Sequence, residues 1–407
     1  MHLVRSGGGC SDHDDFAPHS SIAPVQAWVF FAWITLRAPL MQQEQRIDSL
    51  TGIRGLAALL VVYAHLAEEK FFADTHLYPG EMGVMVFFTL SGFLMAFLYG
   101  DKEANYGSVA RYAISRFSRI APAYLTVVLA SYLIYNLIDP QFVYAISHGN
   151  LLRHLLFSGN VSALWSIPPE VQFYVVFVGI WFSLRALRNK NNVALMVAVL
   201  GTIMALIAYR QELPGTFVGS KIHYFLAGVV FGLIRSRVRA SDSMTAIAIL
   251  QAAVIGLISL VILGVIDVDL GSKRELYLTL ETAGFSGIFV FLFSFDTGLS
   301  KRLLGNRFMM LSGECSFSMY LLNIPIIYAA LAVMDGMPPK PALALPIIAI
   351  TVAAAWAMYR LVEMPGNTLL RRLGTRLLLR PAPAPPLPTN PPVALATQAS
   401  PGTPPLP

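Results

Sequence analysis

Long apolar segments recur along most of the chain, and this feature restricts its fold more than any other. Each is close to the ~20 residues that an α-helix needs to cross a bilayer. Hydrophobic residues make up 56% of the sequence and charged residues 13%, which is too apolar for a water-facing surface. The sequence therefore predicts an all-α, polytopic integral membrane protein, a helical bundle of about ten transmembrane helices. The predicted spans are 50–68, 83–100, 120–138, 168–187, 193–209, 218–234, 244–266, 276–295, 309–333 and 343–361.

Net charge and cysteine content argue against two other classes of protein. The net charge is +6, but Lys and Arg lie in short clusters between apolar segments, without a basic stripe interleaved with aromatic residues. We therefore expect no nucleic-acid partner. Cys10 and Cys315 are far apart and match no metal or disulfide pattern, and no metal site is predicted.

Basic residues also predict the orientation of the bundle. Lys and Arg concentrate in alternate connections, and cytoplasmic connections carry the excess of positive charge in membrane proteins. The resulting alternation agrees with ten spans and places both termini in the cytoplasm. The basic connections are 102–119, 185–190, 235–239, 301–307 and 371–380.

The two ends of the chain differ from the predicted membrane domain, 46–372. Residues 1–45 form either a disordered extension or a segment that is not translated, since Met41 begins a sensible cytoplasmic lead into the first span. N-terminal sequencing of the expressed protein distinguishes the two. Residues 373–407 are predicted to form a disordered cytoplasmic tail, because its Pro-rich sequence from Arg380 onward cannot build a core.

Two ionisable residues lie in the first span, where such groups are costly and often functional. Arg54 and His65 are eleven residues apart, so they share one helix face and are separated by roughly 16 Å along its axis. A guanidinium suits phosphate or carboxylate, and an imidazole suits proton transfer near neutral pH. For either residue alone a structural interpretation is favoured, with Arg54 as an interfacial anchor and His65 as a packing hydrogen bonder.

The fourth predicted span begins LWSIPPEVQFY. The prolines fit the first turn of a helix, and Glu170 follows in that turn, where the helix dipole favours a carboxylate. By the predicted orientation it lies on the outer side with His65, as its orienting partner or, equally, as a solvated loop acid. Trp165 and Tyr174 fit interfacial aromatic residues. Ser91 and Gly92 are interpreted as small residues that let helices approach closely.

Two further arginines, Arg116 and Arg119, lie one turn apart in SRFSRIAP, which is interpreted as a helix start on the inner side. They form either a phosphate clamp or ordinary positive-inside charge.

Several motifs, in the expected order from about Arg46 to Arg372, resemble the acyltransferase-3 family of integral membrane O-acyltransferases. Arg54 and His65 match the Arg and His that mark its first span, with ten residues between them. Met85 departs from an Asp common in the family, and Asn323 stands where the ninth-span motif usually carries a His. The other matching segments are GEMGVMVFFTLSGFLMAF, YAISRFSRIAPAYL, LWSIPPEVQFY, HYFLAGVVFG, GECSFSMYLLNIPII and RLVEMPGNTLLRR.

The resemblance implies transfer of an acyl group, commonly acetyl from acetyl-CoA, to a hydroxyl of a surface or exported carbohydrate, such as exopolysaccharide, lipopolysaccharide or a lipid-linked glycan. Acyl-CoA would be a co-substrate, and no permanently bound cofactor is expected. The location implied is the inner membrane of a bacterial cell. A transporter of lipid-linked sugars, without acyl transfer, is the alternative, although no internal repeat supports it.

Site roles follow from combining the resemblance with the residues. His65 is expected to act as general base or as acyl carrier, with Glu170 as its orienting partner. The phosphates of acyl-CoA would be bound by arginines, and the substrate by aromatic and amide side chains. The cofactor-binding candidates are Arg54, Arg116 and Arg119, and the substrate-binding candidates are Trp165, Tyr174, Tyr320 and Asn323.

Overall fold

The computed structural model describes residues 47–73, 75, 77–189, 192–238, 244–334 and 336–379, and every regular element in these ranges is helical. The extension predicted at 1–45 and the tail from Arg380 lie outside the described residues. The helices are α1 (Asp48–Glu68), α2 (Pro79–Tyr99), α3 (Tyr106–Leu137), α4 (Leu151–Leu155), α5 (Ile167–Asn189), α6 (Val193–Ala208), α7 (Ile222–Arg235), α8 (Met244–Ile262), α9 (Lys273–Leu278), α10 (Leu280–Phe293), α11 (Gly298–Leu303), α12 (Arg307–Glu314), α13 (Ser316–Met334), α14 (Pro341–Met358) and α15 (Met364–Leu378).

The prediction of an all-α polytopic membrane protein is confirmed. Within the described residues, eight helical segments are long and apolar enough to cross a bilayer, and two shorter apolar helices, α6 and α10, occupy the positions of the fifth and eighth predicted spans. Three of the eight combine adjacent elements. Short 3₁₀ turns, Ser162–Ser166 and Val218–Lys221, lead into α5 and α7, and a π-helical turn, Tyr359–Glu363, joins α14 to α15.

Several predicted boundaries are wrong. The third helix begins at Tyr106 and not near residue 120, because Asn105 caps it by accepting a hydrogen bond from the Ser108 amide. The eighth predicted span is divided at Thr279, whose backbone is extended between α9 and α10. The ninth is divided at Cys315, between α12 and α13. The last helix continues to Leu378, beyond the predicted domain boundary at residue 372.

Close packing of α2 against α7 forms the centre of the bundle. A Cβ atom on Gly92 would lie 1.9 Å from the Phe225 carbonyl oxygen, and one on Gly228 would lie 2.0 Å from the Thr89 carbonyl oxygen. These glycines allow the two backbones to touch, as small residues do between membrane helices. The interpretation of Gly92 as a close-approach residue is confirmed.

Contacts along the first helix fix its direction relative to its neighbours. Gly83 of α2 approaches Ala57 of α1, and Gly80 approaches Ala64, so α1 and α2 are antiparallel. Arg54 of α1 bonds Ser316 of α13, and His65, later on α1, bonds Asn323, later on α13. These two helices are therefore parallel. Both relations agree with alternating spans. The cytoplasmic location of the termini stays a prediction.

Candidate active site

A cavity between α1, α2, α3, α5 and α13 brings together most of the predicted site residues. It contains about 720 Å³ of space outside the protein atoms, including a part that is open to the exterior. Apolar side chains, most of them from α2, form much of its wall. Its charged and hydroxyl-bearing lining residues are Arg54, Ser91, Arg116, Arg119, Ser166, Glu170, Tyr174, Ser316 and Tyr320.

Three arginines give this cavity its positive character. Arg54 donates a hydrogen bond from Nη2 to Ser316 Oγ at 3.0 Å. The Arg116 guanidinium lies 5.6 Å from the ring centre of Tyr99 and 5.9 Å from that of Tyr112, in the range of cation–π attraction. Arg119 makes no hydrogen bond or close ion pair with any described residue. It is therefore the cation most available to a ligand.

The sequence indicated that Arg116 and Arg119 lie at a helix start, and this prediction is wrong. Since α3 begins at Tyr106, both arginines lie several turns inside a long helix. They consequently project from the middle of a helix toward Arg54 and Glu170, and all four side chains line one cavity.

Glu170 lies in the first turn of α5, as predicted, after Pro168 and Pro169. Its Oε1 atom accepts hydrogen bonds from Ser91 Oγ and from Tyr174 OH, each at 2.8 Å. Two donors on one oxygen hold this carboxylate in a fixed position. The predicted partnership between Glu170 and His65 is not made in this structure, because Glu170 lies with the arginines and His65 bonds elsewhere.

Tyr320 lines the cavity with its ring, while its hydroxyl makes hydrogen bonds to other protein groups. The hydroxyl donates to the Ala163 carbonyl oxygen and accepts from Ser166 Oγ, both at 2.8 Å. Trp165, the residue before Ser166, does not line the cavity. Its ring packs edge-on against Phe88, a lining residue, with centroids 6.4 Å apart.

His65 forms a second polar centre on the same helix face as Arg54. Its Nδ1 atom lies 2.6 Å from Asn323 Oδ1. Because Arg54 contacts Ser316 and His65 contacts Asn323, both side chains of α1 face α13, and the prediction that they share one face is confirmed. Neither His65 nor Asn323 lines the arginine cavity.

Sequence reasoning missed a buried acid near the arginines. Glu363 ends the π-helical turn, has 6% of its surface exposed, and accepts a hydrogen bond from Ser318 Oγ at 2.9 Å. It interacts electrostatically with Arg119 and Arg54. Glu363 lies in the segment RLVEMPGNTLLRR that resembles the family, but only the folded bundle brings it near the arginines of α1 and α3. The hydrogen bond from Ser91 to Glu170 was also missed, because the two residues lie on helices that are distant in sequence.

A protein family described as an acyltransferase domain matches residues 47–360, well over half of the chain. The chain belongs to the acyltransferase-3 family. Relatives include the acyltransferase MdmB of Streptomyces mycarofaciens, which is 27% identical over 392 residues, covering 84% of this chain and 96% of the relative. The peptidoglycan O-acetyltransferase OatA of Listeria monocytogenes is 22% identical over 353 residues, covering 78% of this chain and 55% of the relative. No solved structure matches the chain.

Membership of the acyltransferase-3 family confirms the predicted class of enzyme, a membrane O-acyltransferase. A transporter without acyl-transfer chemistry is not favoured by these relatives. The chain spans a little over half the length of OatA. The acyl donor, the acceptor and the roles of the site residues stay predictions.

Proposed function

We propose that this enzyme transfers an acyl group, acetyl in the simplest case, from acyl-CoA to a hydroxyl group of a surface or exported carbohydrate. The positive cavity is the observation that supports acyl-CoA as the acyl donor. Three arginines line it with one carboxylate, Glu170. A second carboxylate, Glu363, interacts electrostatically with Arg119 and Arg54. The cations remain in excess, and an unpaired charge inside a membrane bundle is costly. A ligand that carries phosphates removes that cost.

The chemistry of the arginines suits the phosphates of CoA. A guanidinium presents a planar set of donors that matches phosphate oxygens. Arg119 has no hydrogen bond to release before it binds, while Arg54 would exchange or share its bond to Ser316. Charge asymmetry of the connections puts Arg54 toward the cytoplasm, where acyl-CoA is found.

His65 is the proposed general base. It lies roughly 16 Å beyond Arg54 along α1, and the pantetheine arm of CoA would cover this distance from the arginine cavity. Nε2 of His65 would remove the proton from the sugar hydroxyl while the hydroxyl oxygen attacks the thioester carbonyl. The new C–O bond forms, the C–S bond breaks, and the departing thiolate takes the proton from the imidazolium.

An acyl-carrier route differs from the general-base route in one intermediate. Nε2 of His65 would attack the thioester carbonyl, and the C–S bond would break to release CoA as thiolate. The acyl-imidazolium would then pass its acyl group to the sugar hydroxyl, whose proton neutralises the thiolate. Rapid quenching of enzyme with labelled acetyl-CoA and no acceptor separates the two routes, because only the carrier route leaves label on the protein.

The carbohydrate acceptor is supported by the printed activity of one relative, OatA, which is named a peptidoglycan O-acetyltransferase. His65 would lie toward the outer face of the inner membrane, where exported glycans pass. Glu170, held by Ser91 and Tyr174, would shape the arginine cavity that receives the phosphates. Tyr320 would contact the substrate through its ring, while Trp165 supports the cavity wall by packing against Phe88.

Radiolabelled acetyl-CoA and purified enzyme test this function, with muropeptides and chitooligosaccharides as acceptors in separate reactions. We expect label on an oligosaccharide and stoichiometric release of CoA thiol. His65→Ala is expected to lose transfer. His148→Ala is the matched control, since His148 is an exposed histidine in the connection after α3, and it should keep wild-type activity. Full transfer by His65→Ala, or no thiol release by the wild type, would contradict the proposal.

A further inference from the structure

Asn323 is a fully buried amide whose orientation is fixed by its own helix. Its side chain has 0% of its surface exposed. Its Nδ2 atom lies 2.6 Å from the Tyr320 carbonyl oxygen and 3.2 Å from the Met319 carbonyl oxygen. Carbonyl oxygens only accept hydrogen bonds, so the atom facing them must be the NH₂ group. The other amide atom, which faces His65, is therefore the oxygen.

This orientation determines which ring nitrogen of His65 carries the proton. Asn323 Oδ1 lies 2.6 Å from His65 Nδ1, and an amide oxygen can only accept, so Nδ1 must donate. A neutral imidazole has one protonated nitrogen. Nε2 then keeps its lone pair, and it makes no hydrogen bond with any residue that the structure describes.

We propose that Asn323 is a positioning residue that holds neutral His65 in the Nδ1-protonated tautomer and thereby presents Nε2 as the base or nucleophile. This role rests on the proposed function of His65. It differs from the substrate-binding role predicted for Asn323 from the sequence, because all three polar contacts of the buried amide are made to protein.

A neutral amide has a consequence for the pH range of the enzyme. An oxygen that accepts from Nδ1 without a formal charge orients the ring, while a carboxylate in the same place also stabilises the imidazolium. Asn323 therefore orients His65 without adding the charge that an Asp would place beside the ring. Charged side chains at this end of the bundle include Asp139, which accepts a hydrogen bond from Tyr328 of α13, and they are unchanged in every variant below. The others are Glu68, Glu69 and Lys70 at the end of α1, Glu81 of α2 and Lys273 of α9.

Two substitutions at Asn323 separate orientation from charge. Asn323→Leu removes the acceptor, and kcat should fall at least ~10-fold, since partners that orient a catalytic histidine contribute that much or more in other enzymes. Asn323→Asp keeps an acceptor and adds a negative charge. It should retain more activity than the Leu variant, and the acidic limb of its kcat profile should move upward by about one pH unit or more.

A matched control separates these effects from disturbed packing of α13. Ile327 lies one turn beyond Asn323 and is also buried. Ile327→Val should leave the pH profile in its wild-type position. An Asn323→Leu variant with wild-type kcat, or an Asn323→Asp variant whose acidic limb does not move, would overturn the proposal.

A measurement without turnover tests the tautomer directly. Histidine labelled with ¹⁵N in the full-length protein, with the His65→Gln spectrum subtracted, reports the protonation of each ring nitrogen of His65. At neutral pH we expect Nδ1 protonated and Nε2 unprotonated in the wild type, and a shifted tautomer ratio in Asn323→Leu. A protonated Nε2 with an unprotonated Nδ1 in the wild type would refute the proposal. If the wild type releases no CoA thiol, the proposed function fails while this spectrum still decides the role of Asn323.

Discussion

Replacing Arg119 with methionine tests whether the arginine cavity binds the phosphates of acyl-CoA. Arg119 lines the cavity together with Arg54 and Arg116, and it makes no hydrogen bond to a described residue. Its removal therefore breaks no hydrogen bond within the described protein. Methionine keeps a flexible apolar stem of similar length and removes only the charged, hydrogen-bonding group.

The size of the effect follows from the bonds that Arg119 would make. A hydrogen bond to a charged partner contributes about 1.5–3 kcal/mol, and each 1.4 kcal/mol is a factor of ten in affinity. With one such interaction lost, KM for acetyl-CoA should rise roughly 10- to 150-fold. The kcat value should change much less, because Arg119 lies far from His65 and binds donor in both the ground state and the transition state.

Two acyl donors distinguish a loss of phosphate binding from other effects of the Arg119 substitution. Acetyl-pantetheine carries the same thioester as acetyl-CoA but lacks the phosphates, so Arg119→Met should leave its KM nearly unchanged. Arg111→Met is the matched control, since Arg111 is an exposed arginine about 12 Å earlier on α3 and does not line the cavity. An equal rise of KM for both donors, or an equal effect of Arg111→Met, would refute the reasoning.

Two further predictions concern stability. Gly228→Ala should lower the Tm of the purified protein, because the added Cβ would lie 2.0 Å from a backbone oxygen of α2. Gly256→Ala on α8 is the control: its added Cβ has nothing within 4 Å, so Tm should stay unchanged or rise slightly. An equal Tm for both variants would contradict the close packing. Lys273 bonds Glu68 at 2.8 Å and lies 3.2 Å from Glu81; burial lowers its pKa, but these two carboxylates outweigh burial and raise the pKa above the ordinary 10.5. Lys273→Met should therefore lower Tm by a small amount at neutral pH, where the lysine and both carboxylates are charged. This difference should vanish as the pH rises through the raised pKa of Lys273, and a difference that persists at higher pH would assign it to packing.

The sequence by itself determined the class of fold, and it did so through a strong physical constraint. Backbone polar groups in a bilayer must bond within their own segment, so long apolar runs become helices with few alternatives. The same regularity predicted that Arg54 and His65 share a face, because helical phase depends only on their spacing of eleven residues. The proline pair before Glu170 likewise fixed the start of α5.

Helix ends were harder to predict, since a cap such as Asn105 competes with hydropathy as a boundary signal. The hydropathy of the chain indicated a third span from residue 120, while the cap began the helix at Tyr106. Arg116 and Arg119 therefore lie inside a long helix and not at its predicted start, and from there they line the cavity.

Only the tertiary structure decided which polar groups meet. Glu170 finds Ser91 and Tyr174, His65 finds Asn323, and Glu363 reaches the arginines from the end of the chain. These pairings join helices that are far apart in sequence, so hydropathy and residue spacing within one segment cannot predict them. The first span supplied two of the functional candidates, Arg54 and His65. The packing of α13 against it gave each of them a partner and separated the cationic cavity from the proposed base.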